Sequence, residues 1–211
     1  MPDQRKPFII GITGSIGSGK STVGKILTDL EIPVIDTDRI VHDLLEGDQA
    51  VIAAITDRFG KDVTRSLESR ATIDRTRLGQ LVFADQAARR DLERIVHPAT
   101  ILECRRRIEA LPSTELVAVL VPLLFEAGLE SEYDEIWTVF TDEKSLKSRI
   151  MERDGLSGED ADRRLAAQLS QAEKISRSRH TVDNSGTKEN TKKQVEALVE
   201  KLKSGLGAHR Q

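Results

Sequence analysis

The stretch Gly14-Ser15-Ile16-Gly17-Ser18-Gly19-Lys20-Ser21 constrains this chain more than any other. It satisfies G-x-x-x-x-G-K-[ST], a loop whose glycines let the backbone wrap an anion while successive N–H groups point inward. Such a loop needs a strand before it and a helix after it. Phe8-Ile9-Ile10-Gly11-Ile12 is a short apolar run, as in a strand buried on both faces. Beyond the glycines, Val23, Ile26, Leu27 and Leu30 recur at i, i+3, i+4 and i+7, which predicts an amphipathic helix. Ile32-Pro33-Val34-Ile35 reads as the next strand, with Pro33 at its start. Strand, helix and strand in this order make a βαβ unit and imply a parallel sheet. In the loop, Lys20 suits the β- and γ-phosphates of a nucleotide, and the Ser21 hydroxyl suits Mg²⁺. The spacing fits a dinucleotide fingerprint less well.

From about Asp38 to Leu111 the periodicity is helical throughout, and no convincing strand is predicted there. Helices are marked by Ile40, Val41, Leu44 and Leu45; by Val51, Ala54 and Ile55; and by Leu78, Leu81 and Val82. Leu92, Ile95 and Val96 mark a fourth helix that Pro98 should end, before a fifth carrying Ile101, Cys104, Ile108 and Leu111. Cys104 lies on the apolar face and reads as a buried, inert thiol. Leu116–Val121 and Ile136–Phe140 are strands, followed by a helix over 142–154. Gly155 and Gly158 break the chain before a charged helix from Glu159 to about Arg177. Thr181 and Val182 form a short strand, and a last helix through Val195, Leu198, Val199 and Leu202 should fray after Gly205. The fold class is α/β: a P-loop NTPase-type parallel sheet of about five strands flanked by helices, with a helical insertion and a small helical lid. The core takes residues 1–45, 114–153 and 178–211, the insertion 46–113 and the lid 154–177.

A phosphate-binding loop alone does not choose a reaction. A GTPase would need Asn-Lys-x-Asp, which the sequence lacks, and Pro122 stands where a Walker-B acid would end the strand Leu116–Val121. Asp36-Thr37-Asp38 closes the second strand, and ligands of open α/β sheets lie at the carboxyl ends of strands. Phosphoryl transfer to an alcohol needs an acceptor for the hydroxyl proton, and a carboxylate there can serve. The competing use of either acid is to cap a helix starting at Arg39.

With these residues in place the chain resembles the dephospho-CoA kinases, which phosphorylate the ribose 3′-hydroxyl of dephospho-CoA with ATP. The resemblance spans nearly the whole chain. It rests on the segment from Gly11 to Thr22, Val34 to Asp38, Phe59-Gly60, Ile73-Asp74-Arg75, Val82-Phe83, Leu92-Glu93 and His97-Pro98. It continues through Val121 to Glu126, Arg149, Arg153, Arg163 to Gln168, and Val182-Asp183-Asn184. It implies that Asp38 is the general base, assisted by Lys20 and Arg149. It implies a nucleotide site of Thr13, Gly14, Gly17, Ser18, Gly19, Lys20, Ser21, Thr22, Arg149 and Arg153, and an acceptor site using Asp36, Asp38, Arg75, His97, Pro122 and Leu123. ATP and Mg²⁺ are the implied cofactors and the insertion the implied CoA-side domain. The alternative is another small-molecule kinase acting on a nucleoside or nucleotide. Thr37, Ala71 and Ser178-Arg179 depart from the family pattern without removing a proposed catalytic group.

Arg149 and Arg153 lie one helical turn apart and share a face; with Arg163 and Arg164 they are candidates for the transferred phosphoryl group. Ordinary surface ion pairs are the competing use. Arg105-Arg106-Arg107 point three ways and read as a solvated face, and His97 either meets the acceptor or caps a helix. Trp137 and Tyr133 read as packing. Lys and Arg number 32 against 35 Asp and Glu, a net charge of −3, which argues against a nucleic-acid binder held by bulk charge. With one cysteine, no apolar run long enough to span a bilayer and a polar start, the expectation is a cytoplasmic enzyme of small molecules, without nucleic-acid, membrane or obligate protein partners.

Overall fold

In the computed structural model, which describes residues 6–67, 70–112 and 114–208, strand β1 (Phe8–Thr13) leads through the glycine loop into helix α1 (Lys20–Asp29). The chain turns at Glu31, whose φ is 61°, and β2 (Val34–Asp36) starts directly after Pro33. Proline has no N–H to give a sheet, but its carbonyl still accepts from Ala118 N at 2.9 Å. Next come α2 (Thr37–Gly47), α3 (Gln49–Phe59), β3 (Thr64–Leu67), β4 (Arg70–Ile73), α4 (Arg75–Ala84) and α5 (Gln86–Glu109). The chain finishes with β5 (Leu116–Leu120), β6 (Glu135–Phe140), α6 (Glu143–Asp154), α7 (Gly158–Ala166), α8 (Gln171–Ser176), β7 (His180–Asp183) and α9 (Lys188–Ala208).

The five-stranded parallel sheet has the order β2-β5-β1-β6-β7, with Ile10 opposite Ala118 and Gly11 opposite Val119. Every residue of β5 is buried, which is why its sequence is apolar without alternation. Ile10, Ile12, Leu27, Ala118, Trp137 and Val139 meet Val195 and Val199 of α9 in the main core. Phe8, Leu198 and Leu206 pack around it. Among the described residues no helix is long and apolar enough to cross a membrane.

The chain divides into two compact units, Met1–Ile35 with Ser113–Gln211, and Asp36–Pro112. Helix α2 falls in the second unit, where it packs on α3 and α5. Four expectations are corrected. The second unit contains strands: β3 and β4 form an antiparallel hairpin, Thr64 opposite Ile73. Thr72 and Ile73 are buried where β4 packs on α2 and α3, but the two strands hold few apolar residues, so no hydrophobic period announces the ribbon.

Pro98 does not end a helix. α5 runs unbroken over 24 residues, with Ala88 and Val96 buried before the proline and Thr100 and Cys104 buried after it. Packing on α2, α3 and α4 holds both halves in line. The charged helix expected over 159–177 is instead α7 and α8, because Ser170 and Glu173 form a capping box that starts a new helix. Finally, α9 continues past Gly205 to Ala208, where Leu206 still packs against the core.

Candidate active site

Gly14, Gly17 and Gly19 have φ values of 150°, 80° and 99°. A Cβ on Gly14 would lie 2.2 Å from the Val139 carbonyl oxygen, and one on Gly19 1.9 Å from Asn184 Nδ2. The loop is pressed against β6 and the residue following β7, so these positions need glycine for space as well as for φ. Ser18 N donates to Ser15 O at 3.1 Å, drawing the loop into a tight turn. Gly19 is the N-cap of α1 and brings no side chain to that cap, which suits the helix terminus to an anion. Ser18 Oγ is buried and has no hydrogen-bond partner among the described residues. The Lys20 ammonium lies over the start of the loop, donating to Gly14 O at 2.7 Å and Ser15 O at 3.2 Å. Ser21 is exposed and Thr22 half-buried in the first turn of α1.

The neighbouring elements of the same unit close on this loop. Thr13 ends β1 fully buried, its hydroxyl donating to Pro122 O at 3.4 Å. Pro122 and Leu123, both half-buried, open the turn after β5. From α6, Arg149 donates to Asn184 O at 3.2 Å and to Gly17 O at 3.5 Å. Arg153 is engaged differently: its guanidinium grips Asp154 at 2.7 and 3.0 Å and so holds that carboxyl below its usual range. Arg163 pairs with Asp160 and Arg164 with Asp154, the ordinary ion pairs that competed with a phosphate role.

In the second unit, Asp36 ends β2 and caps α2, its Oδ1 accepting from Asp38 N at 3.0 Å. The helix therefore begins at Thr37, not Arg39; Asp36 is the cap, and Asp38 stands exposed in the first turn. Arg75 NH1 lies 2.7 Å from His42 Nδ1, which makes that nitrogen the acceptor and leaves Nε2 facing Glu46 at 3.5 Å. His97 sits half-buried in the middle of α5, so it caps nothing. Arg106 and Arg107 both bond Glu103, and Arg107 also pairs with Asp43 at 2.7 Å. Those two guanidinium groups, Arg106 first, hold the Glu103 carboxyl down at about 2.

The family model for dephospho-CoA kinase matches residues 8–190. The chain belongs to the dephospho-CoA kinase family. Curated members similar to it include the dephospho-CoA kinase of Symbiobacterium thermophilum, 44% identical over 94% of this chain and 83% of that protein. That of Carboxydothermus hydrogenoformans is 39% identical over 92% and 94% respectively. Among solved structures, the dephospho-CoA kinase from Campylobacter jejuni superposes with a TM-score of 0.68 at 26% identity, over 93% of this chain and 98% of that one. A shikimate kinase from Bacteroides thetaiotaomicron, at TM-score 0.52 and 18% identity over 93% and 98%, shares the fold.

Sequence reasoning assigned no site role to Asn184. It is 6% exposed, donates through Nδ2 to Ser18 O at 2.9 Å and accepts from Thr191 Oγ1 at 3.0 Å. It thus backs the phosphate loop of this dephospho-CoA kinase family member and receives Arg149. The available signal was its place directly after a short strand. Gln168 and Lys174 were missed as well, because polar residues in a charged segment read as solvated.

Proposed function

We propose that this chain transfers the γ-phosphoryl group of ATP to the ribose 3′-hydroxyl of dephospho-CoA, giving CoA and ADP. The observation that carries the reading is the glycine loop, shaped so that only glycine fits at 14 and 19, in a chain matching this kinase family from residue 8 to 190. The donors around the loop suit a polyphosphate: backbone N–H groups, the Lys20 ammonium and the two-pronged Arg149 guanidinium. Thr13, Gly14, Gly17, Ser18, Gly19 and Thr22 form the wall of that site, with Arg153 one turn beyond Arg149.

Ser21 offers a hard oxygen donor that fits Mg²⁺. When bound, the ion would neutralise charge on the phosphates. Asp38 takes the proton of the attacking hydroxyl, a role that an alcohol acceptor requires. Asp36 orients the turn carrying Asp38 through its cap. Arg75 and His97, with Pro122 and Leu123, are assigned to the acceptor. Residues 46–113 serve as the CoA-side insertion, and 154–177 as a lid whose arginines exchange carboxylate partners for phosphate. Such an enzyme works in the cytoplasm on small molecules, with no need for nucleic acid, membrane or an obligate protein partner.

An ADP-release assay tests the substrate: dephospho-CoA should stimulate release from ATP and Mg²⁺. Release driven by uridine or a nucleoside monophosphate instead would reassign the acceptor.

A further inference from the structure

Ile16, at the tip of the phosphate loop, is held in two ways. Its side chain packs on Leu146, Ile150 and Ala161, joining the loop to α6 and α7. Its N–H donates to Gln168 Oε1 at 3.0 Å. Gln168 lies in the short link between α7 and α8, and that link is itself tied down. The next residue, Leu169, donates its N–H to Glu126 Oε1 at 3.0 Å. The same carboxylate oxygen lies 2.7 Å from the Lys174 ammonium. Lys174 is completely buried, and its Nζ also donates to Pro122 O at 3.2 Å, the carbonyl that receives the Thr13 hydroxyl.

A lysine without exposed surface is uncommon unless paired, and breaking a buried pair is costly. Here one buried cation collects the turn after β5, the end of β1 and the α7–α8 link. The link in turn presents one neutral amide oxygen to a backbone N–H of the phosphate loop. A carboxylate in that place would repel a nucleotide; an amide fixes the loop without adding charge.

We propose that Gln168 is a positioning residue for the phosphate loop, acting through the Ile16 N–H and held in register by the Glu126–Lys174 pair. This rests on the reading of the loop as the ATP site. Gln168 touches no reacting atom: it sets where the loop tip stands, and with it the N–H groups that follow.

The test is Gln168→Met, which keeps the length of the side chain and removes the amide. The Ile16 amide should lose hydrogen-exchange protection. The Kd for ATP and the KM for ATP should rise about fivefold, the factor of one net hydrogen bond. The KM for the acceptor and the melting temperature should stay near wild type, a split that a general loss of structure would not produce. Unchanged Ile16 protection together with unchanged ATP affinity in Gln168→Met would overturn the proposal. So would an equal rise in both KM values with a lowered melting temperature. Lys174→Met should raise Ile16 exchange in the same way; if that variant fails to fold, Gln168→Met alone decides. Wild-type protein that binds no ATP would instead sink the nucleotide-site reading.

Discussion

Gly19 joins two constraints that a sequence motif expresses as a single letter. Its φ of 99° disfavours any side chain, and Asn184 Nδ2 occupies the place of a Cβ at 1.9 Å. Gly19→Ala is therefore expected to push Asn184 away from Ser18, weaken ATP binding at least about tenfold through strain of this kind, and lower the melting temperature; calorimetric titration and thermal unfolding measure both. Asp38 makes a different claim. If it takes the hydroxyl proton, Asp38→Asn should cut kcat by about a hundredfold or more while leaving the Kd for ATP near wild type. Near-normal turnover would remove the base role. The glycines and Lys20 were legible because a phosphate cradle tolerates few residue types. The role of Asn184 was not, since one asparagine after a strand announces nothing until the chain brings it back beneath the loop.

Among the elements, α5 departs furthest from what local chemistry predicts. Proline in a helix interior is about 3 kcal/mol less favourable than alanine, yet α5 continues through Pro98 because its buried residues on both sides are packed. Pro98→Ala should consequently raise the melting temperature, and a fall in activity in that more stable variant would mark the His97-Pro98 step as functional. The β3–β4 hairpin was illegible because its two short strands carry few apolar residues in no alternating period, although Thr72 and Ile73 are buried. The break between α7 and α8 had a local signal that the single helix expected over 159–177 passed over. Ser170-Gln171-Ala172-Glu173 has the S-x-x-E form of a capping box, and both of its reciprocal bonds are made. Charge on either side hid it.

Over the whole molecule, acid should remove the stabilisation that paired carboxylates supply. Glu103 has its carboxyl lowered from 4.5 to about 2 by Arg106 and Arg107, and hydrogen bonds also lower Asp142, Asp154, Asp160 and Glu173. A carboxyl with a depressed native pKa contributes its full stabilisation above the unfolded value and loses it as pH falls through the native one. For Glu103 the window runs from about 4.5 down to about 2. Glu103→Gln should be less stable than wild type at pH 7, and the gap should close as pH approaches 2, read from urea unfolding across that range. Burial lowers the pKa of His180 too, so a smaller loss of stability should begin below its ordinary 6.5.

The local sequence determined the strand–loop–helix that cradles phosphate, the buried parallel strands and the family resemblance, because each depends on residue types at short fixed spacing. Only tertiary structure decided that Pro98 lies within one helix, that two strands interrupt the helical unit, and that Asn184, Gln168 and Lys174 brace the loop. Those outcomes depend on contacts between residues as far apart in sequence as Ser18 and Asn184, and no periodicity records which distant partner will satisfy a buried polar group.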